Sequence, residues 1–204
     1  AAYGFDAKWD DPVCEMVQTV LSEPLADGFR LADLSAGQRL NELEFYLPLA
    51  GSSIVELEQV LERHGYGGAL DLSDDPGGVA RVLNGYMKGF VDLVCQVEDR
   101  FFIIDYKSNR LGTTREAYDE ARMNAEMTAN HYRLQYLIYT CALHRYLSVR
   151  LGHAYDYERN MGGVYYLFVR GMGSSEGKQL GVYRDRPDRA CIESMLACFN
   201  TLAR

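Results

Sequence analysis

The chain has 204 residues, 48% of them hydrophobic and 25% charged, which fits one large domain with a sizeable core and excludes a disordered or collagen-like chain. No stretch approaches the ~18 consecutive apolar residues of a membrane span. The net charge of −8 excludes a protein that coats nucleic acid by charge alone. The charge is uneven: residues 1–84 carry net −10 and residues 85–204 net +2, which leaves room for an enzyme working on nucleic acid from a local groove.

Ala1–Asp6 shows no Met, no basic segment and no apolar run. It is therefore no signal peptide and reads as a cut end of something longer. Asp11-Pro12 followed by Val13, Met16, Val17, Val20 and Leu21 predicts a capped amphipathic helix. Glu42–Leu49 predicts a strand closed by Pro48. Ser53 and Glu56 form a capping box for a helix whose apolar face is Ile54, Leu57, Val60 and Leu61, with Gly65 as the stop. Residues 65–84 are rich in Gly, Asp and Pro and predict a loop. Gly85–Val97 and Phe101–Lys107 predict two strands joined at Glu98-Asp99. Two helices are predicted over about 113–129 and 131–151. A buried strand is predicted over Val164–Arg170, a short one over Gly181–Arg184, and a last helix capped by Asp188 and running to about 203. Alternating strands and helices predict an α/β fold with a central mixed sheet.

Five cysteines, Cys14, Cys95, Cys141, Cys191 and Cys198, are widely spaced and form no C-x-x-C. They predict reduced thiols in a cytoplasmic protein rather than a zinc ribbon. An iron–sulfur cluster would need four suitably grouped thiolates, which this spacing does not offer. His64, His131, His144 and His153 form no H-E-x-x-H.

The chemistry lies in the predicted hairpin. Asp105 and Lys107 share one strand face by period-two geometry. A two-residue turn at 98–99 pairs residues whose numbers sum to 197, which sets Asp92 opposite Asp105. Side chains so opposed lie about 4.5–5.5 Å apart at Cβ, and two like charges there are destabilising. A divalent cation bound by both carboxylates would compensate, and Lys107 beside them could act on a phosphate or a water. The alternative is structural: Asp92 caps the hairpin and Lys107 neutralises both acids.

These residues also carry a resemblance. The run Gly85-Tyr-Met-Lys-Gly-Phe-Val-Asp92-Leu-Val and the run Phe102-Ile-Ile-Asp-Tyr-Lys107-Ser-Asn-Arg-Leu-Gly112 resemble the RecB-type nuclease domains of the PD-(D/E)xK superfamily. His131–Tyr139, Ala142–Leu147, Gly162–Gly171 and Glu42–Pro48 continue it over most of the chain. The resemblance implies a restriction-endonuclease-like core over 41–204 behind a helical part over 1–40. It implies a single nuclease domain at the C-terminal end of a longer helicase–nuclease subunit. The activity implied is that of an exodeoxyribonuclease V-type, metal-dependent DNA nuclease. Asp92 matches the first acidic metal ligand, Asp105 and Lys107 match the D-x-K pair, and the main-chain carbonyl of Tyr106 matches a further ligand. Gln135 and Tyr139 match a Q-x-x-x-Y pair, four residues apart on one helix face. Glu42 and Glu44, two apart on a strand, are expected on one face as supports, Glu42 aligning best. The implied cofactor is Mg²⁺, with Mn²⁺ or Ca²⁺ able to substitute in binding. The implied partners are DNA and the RecC-like and RecD-like subunits of a heterotrimer, with no membrane. Such domains also use a metal-binding His upstream of the part matching residue 1, and no counterpart is expected among the four histidines here. No G-x-x-x-x-G-K-[ST] is present, so no ATP site is expected in this chain. The rival expectation is a non-catalytic partner- or DNA-binding domain that keeps the fold.

Overall fold

The structure is a computed structural model and describes residues 6–69, 82–175 and 178–199. Helix α1 (Asp10–Ser22) is followed by strand β1 (Arg39–Ser53), helix α2 (Ile54–Arg63), and the hairpin of β2 (Val82–Val97) and β3 (Arg100–Lys107). Helices α3 (Glu120–Ala129), α4 (Tyr132–Leu151) and the short α5 (Tyr157–Asn160) lead to β4 (Met161–Phe168). A ribbon of β5 (Gly173–Ser175) and β6 (Lys178–Leu180), strand β7 (Val182–Asp185) and helix α6 (Arg189–Phe199) complete the chain as described.

The main sheet has the order β1-β2-β3-β4-β7. Only β3 and β4 run parallel, and the other neighbours are antiparallel. A parallel pair needs a long crossover, and α3 and α4 supply it. β4 is buried at every position and β3 from Phe102 to Asp105, as expected of central strands covered on both faces.

Two cores result. One lies under α2, α3, α4 and α6 and contains Leu61, Ile103, Tyr136, Leu137, Val164, Tyr166 and Ile192. The other lies on the opposite face, where Leu25, Phe29, Leu31 and Leu34 cover Phe102, Ile104 and Tyr165. Asp27 pins this second layer. Its carboxylate meets Arg100 and Arg184, each at 2.8 Å, and accepts the Tyr165 hydroxyl at 2.6 Å.

Several boundaries differ from those the sequence predicts. Pro48 does not close a strand. β1 sits at the edge of the sheet, where a missing N–H is tolerated, and Pro48 pairs with Tyr86 in mid-strand. The helix expected over 113–129 starts only at Glu120, because Asp119 caps it by accepting the Arg122 N–H at 2.8 Å. A 3₁₀ turn over Arg115–Tyr118 precedes it. β4 begins at Met161 rather than Val164. Gly162 is part of the strand because a Cβ there would lie 2.3 Å from the Phe102 ring, a close approach that only glycine permits. On α1, Val20 is buried, whereas Val13, Val17 and Leu21 are exposed and no side chain caps the helix. The Ser53 half of the expected α2 capping box is present, with Ser53 Oγ accepting the Glu56 N–H at 3.3 Å. Most of the predicted 65–84 loop, residues 70–81, lies outside the described residues, as does the last helix beyond 199. Among the described residues, no helix is long and apolar enough to cross a membrane.

Candidate active site

The hairpin register is the expected one: Val97 pairs with Arg100 and Leu93 with Ile104. The ladder ends there, one pair short of Asp92 and Asp105. At Asp92 the alternation of β2 changes phase. Leu93 and Cys95 face the second core and Val94 the first, yet Val91 faces the first core again. On β1 the ladder passes from Asn41↔Leu93 to Leu43↔Val91 without pairing Glu42 and Asp92. Glu42 has φ 52, a left-handed conformation that costs a non-glycine residue of order 1 kcal/mol. This irregularity lets β2 part from β3. Asp92 stays at the fork, its Oδ2 accepting the Tyr106 N–H at 3.0 Å.

Across the fork lie Asp105 and Lys107, both buried polar residues of β3. Lys107 Nζ is 2.5 Å from Asp105 Oδ1, and that oxygen has no other hydrogen-bond partner. Lys107 Nζ donates to Gln135 Oε1 at 3.0 Å, and the Tyr166 hydroxyl donates to the same oxygen at 2.9 Å. Gln135 Nε2 in turn donates to the Tyr139 hydroxyl at 2.9 Å. The ammonium lies 3.9 Å from the Tyr132 ring centroid and 4.8 Å from that of Tyr166, a favourable cation–π placement. The lysine is therefore held by a planar amide and two rings.

Burial is the main influence on the Asp105 carboxyl and pushes it up to about 6, against the pull of Lys107 and with a further push from Asp92. Burial and the charges of Asp105 and Asp92 likewise raise the Tyr139 phenol to about 12. Tyr139 is therefore a neutral hydroxyl at physiological pH.

The backbone adds one more group. A strand residue directs its N–H and C=O to the same edge. The Lys107 carbonyl accepts the Val169 N–H at 3.0 Å and so faces β4. Tyr106, one residue earlier, faces the other edge, as its bond to Asp92 requires. Its carbonyl points to the side that β2 has vacated.

Five of the residues marked by the sequence thus converge here: Asp92, Asp105, Lys107, Gln135 and Tyr139. Glu44 does not join them. It pairs with Lys88 and accepts the Tyr46 hydroxyl on an exposed face. The positive φ of Glu42 breaks the alternation that would have set the two glutamates side by side, and Glu42 is exposed. Among the described residues, no hydrogen bond joins a histidine to the cluster: His131 bonds to Ala69 and His144 to Tyr155. Sequence reasoning missed Tyr132 and Tyr166. Tyr132 lies three residues before Gln135 on the same helix face, which was a usable signal. Tyr166 is found only through the parallel register that pairs it with Asp105.

The donors at the fork are hard oxygens: the carboxylates of Asp92 and Asp105, the Asp105 Oδ1 buried and met by Lys107, and a main-chain carbonyl. This set fits Mg²⁺, which takes one or two protein carboxylates and keeps several waters. Among the described residues, no group of three or more His, Cys, Asp or Glu side chains forms a fuller cage.

Residues 7–203 match the PD-(D/E)XK nuclease superfamily. The chain is similar to the RecBCD enzyme subunit RecB of Escherichia coli K12, with 42% identity over 194 residues, covering 94% of this chain and 16% of the relative. It is also similar to the RecBCD enzyme subunit RecB of Haemophilus influenzae, with 36% identity over 197 residues, 95% of this chain and 16% of the relative. Against the subunit of the same name from Mycolicibacterium smegmatis, identity is 38% over 193 residues, 80% of this chain and 17% of the relative. The chain therefore spans about a sixth of the length of these relatives. The match over nearly the whole chain, together with the mixed sheet, establishes that it belongs to the PD-(D/E)XK nuclease superfamily.

Proposed function

We propose that this chain is the single nuclease domain of a longer RecB-type helicase–nuclease subunit and hydrolyses DNA phosphodiester bonds with Mg²⁺, as an exodeoxyribonuclease V-type enzyme. The observation that carries this reading is the convergence of Asp92 and Asp105 from a splayed strand pair, with Lys107 held beside them by Gln135.

In this reading Asp92, Asp105 and the Tyr106 carbonyl hold the cation. Bound there, Mg²⁺ supplies Lewis-acid charge to the phosphate and lowers the pKa of a coordinated water. Lys107 places its ammonium against the reacting phosphate and stabilises the charge that develops there. Gln135 fixes the lysine from behind. Tyr139, kept neutral, ties the other end of that amide and offers a hydroxyl to the strand. The parent subunit would work in double-strand-break repair and recombination in the cytoplasm, with RecC-like and RecD-like partners. The relatives' name, subunit of a RecBCD enzyme, supports that assembly.

The test is calorimetric Mg²⁺ titration of the 204-residue chain and of Asp105→Ala. The proposal expects a saturable site in the first and none in the second. Equal binding by both would place the metal elsewhere.

A further inference from the structure

A second polar site opens just beyond the end of β3. Arg110, Thr113, Thr114, Arg115 and Arg170 line a cavity of about 330 Å³ whose floor is the buried Tyr118. Among the described residues, no acidic side chain lines it. The arginines that pair with carboxylates among the described residues are Arg100, Arg122, Arg184, Arg186 and Arg189, so none of the three guanidiniums here is neutralised by a carboxylate of the described residues. Three like charges converging on one hollow repel one another, and in a chain of net charge −8 their grouping is no by-product of a basic surface.

The hollow is also held in shape. The Tyr118 hydroxyl donates to the Asn109 carbonyl and accepts the Leu111 N–H, both at 3.4 Å. The Tyr118 carbonyl accepts the Gly181 N–H at 3.0 Å. A Cβ on Gly112 would lie 2.3 Å from that of Ala117, and one on Gly171 would lie 2.0 Å from the Tyr118 ring. Both glycines therefore let the loop walls close onto the floor. Arg170 Nε donates to the Ser108 carbonyl at 2.7 Å, which fixes the third arginine to the segment leaving β3. Arg170, so fixed, binds without the ordering cost that a free arginine would incur, while Arg110 and Arg115 border the hollow as exposed side chains.

The position gives the ligand. Arg110 lies three residues after Lys107, at most about 10 Å along an extended chain. Arg170 follows Val169, whose N–H binds the Lys107 carbonyl at 3.0 Å. Guanidinium forks and threonine hydroxyls match the oxygens of a phosphodiester. We infer that this cavity is a phosphate-binding subsite that grips the DNA strand being cut, at a phosphodiester next to the one presented to Lys107. This rests on the nuclease reading for the identity of the strand, and extends it by naming residues that grip rather than cut.

The test separates gripping from cutting. Binding of a labelled single-stranded oligonucleotide is measured by fluorescence anisotropy in EDTA, across a salt series, for the wild type and for Arg110→Ala, Arg115→Ala and Arg170→Ala. Melting temperatures serve as the check on folding, and Arg115→Lys serves as the charge-retaining control. Each alanine variant should bind roughly tenfold more weakly, and the plot of log affinity against log salt should lose about 0.7 of slope per phosphate contact removed. In Mg²⁺, KM should rise with kcat at saturating DNA nearly unchanged, the opposite of the split expected for Lys107→Ala. A wild type that cuts DNA while all three variants keep its affinity and slope would overturn the subsite alone. Alanine variants that show the slope losses beside a wild type that cuts nothing would overturn the nuclease reading and leave the phosphate subsite standing. A wild type that neither binds nor cuts would overturn both.

Discussion

Asp92 accepts the main-chain N–H of Tyr106 at 3.0 Å, a side-chain bond at the place where the next pair of the β2–β3 ladder would have formed. The strands separate, yet the Asp92 side chain still spans the gap on the side of Asp105. Asp92→Asn retains an acceptor for that N–H but removes the charge. Its melting temperature should match that of the wild type closely, while Mg²⁺ affinity falls at least about tenfold, as for a lost charge-assisted ligand. Calorimetry and thermal melting on the same samples check both halves.

Lys107→Ala should lower kcat by roughly 10²–10³-fold, the cost typical of removing one preorganised electrostatic group, with KM little changed. Gln135 touches the lysine rather than the reacting atoms, so it is a positioning residue. Gln135→Ala should lower kcat less, by about tenfold, and Gln135→Glu should not rescue it. Steady-state kinetics on one oligonucleotide substrate gives the split. A KM effect as large as the kcat effect in Lys107→Ala would assign that lysine to docking.

The Asp105 carboxyl predicts how metal binding depends on pH. Its folded value of about 6 lies above its ordinary 3.8. A carboxyl raised in this way favours the metal-free fold below about 4, and this contribution is lost as pH rises toward 6, because the folded state must then ionise a buried group. Mg²⁺ binds the ionised form, so protons compete with it below about 6. The thermal shift produced by Mg²⁺ should therefore be small at pH 5 and large at pH 7. In Asp105→Asn the shift should vanish at both, and the metal-free variant should melt higher than the wild type at pH 7.

On the other face of the sheet, Asp27 joins Arg100, Arg184 and Tyr165 with its side chain only 7% exposed. Asp27→Ala removes the shared acceptor and should cost about 2 kcal/mol, read by urea unfolding. Asp27→Asn keeps a partner for Tyr165 and should cost less.

The hairpin register was legible because a two-residue turn and period-two geometry leave one way to pair Leu93 with Ile104. The α2 cap was legible for a similar reason, since Ser53 and Glu56 act within one turn. Local chemistry fails where a distant contact decides. Gly162 reads as a strand breaker until the Phe102 ring is known to lie over it, and Pro48 reads as a stop until β1 is known to be an edge. The site divides in the same way. Asp92, Asp105, Lys107, Gln135 and Tyr139 came from spacing and resemblance. The phase change at Asp92, the positive φ of Glu42 and the separate exposed pairing of Glu44 with Lys88 depend on how two strands part. No periodicity in one strand reports that.

The most direct test of the central claim is single-turnover cleavage of an end-labelled single-stranded oligonucleotide by the 204-residue chain across a Mg²⁺ series, beside Asp105→Asn. The wild type should cut with a rate that saturates in Mg²⁺ and is abolished by EDTA, and Asp105→Asn should fall at least about 10²-fold below it at every concentration. Cleavage that persists in EDTA, or an Asp105→Asn rate equal to the wild type's, would contradict a metal site built on Asp92 and Asp105.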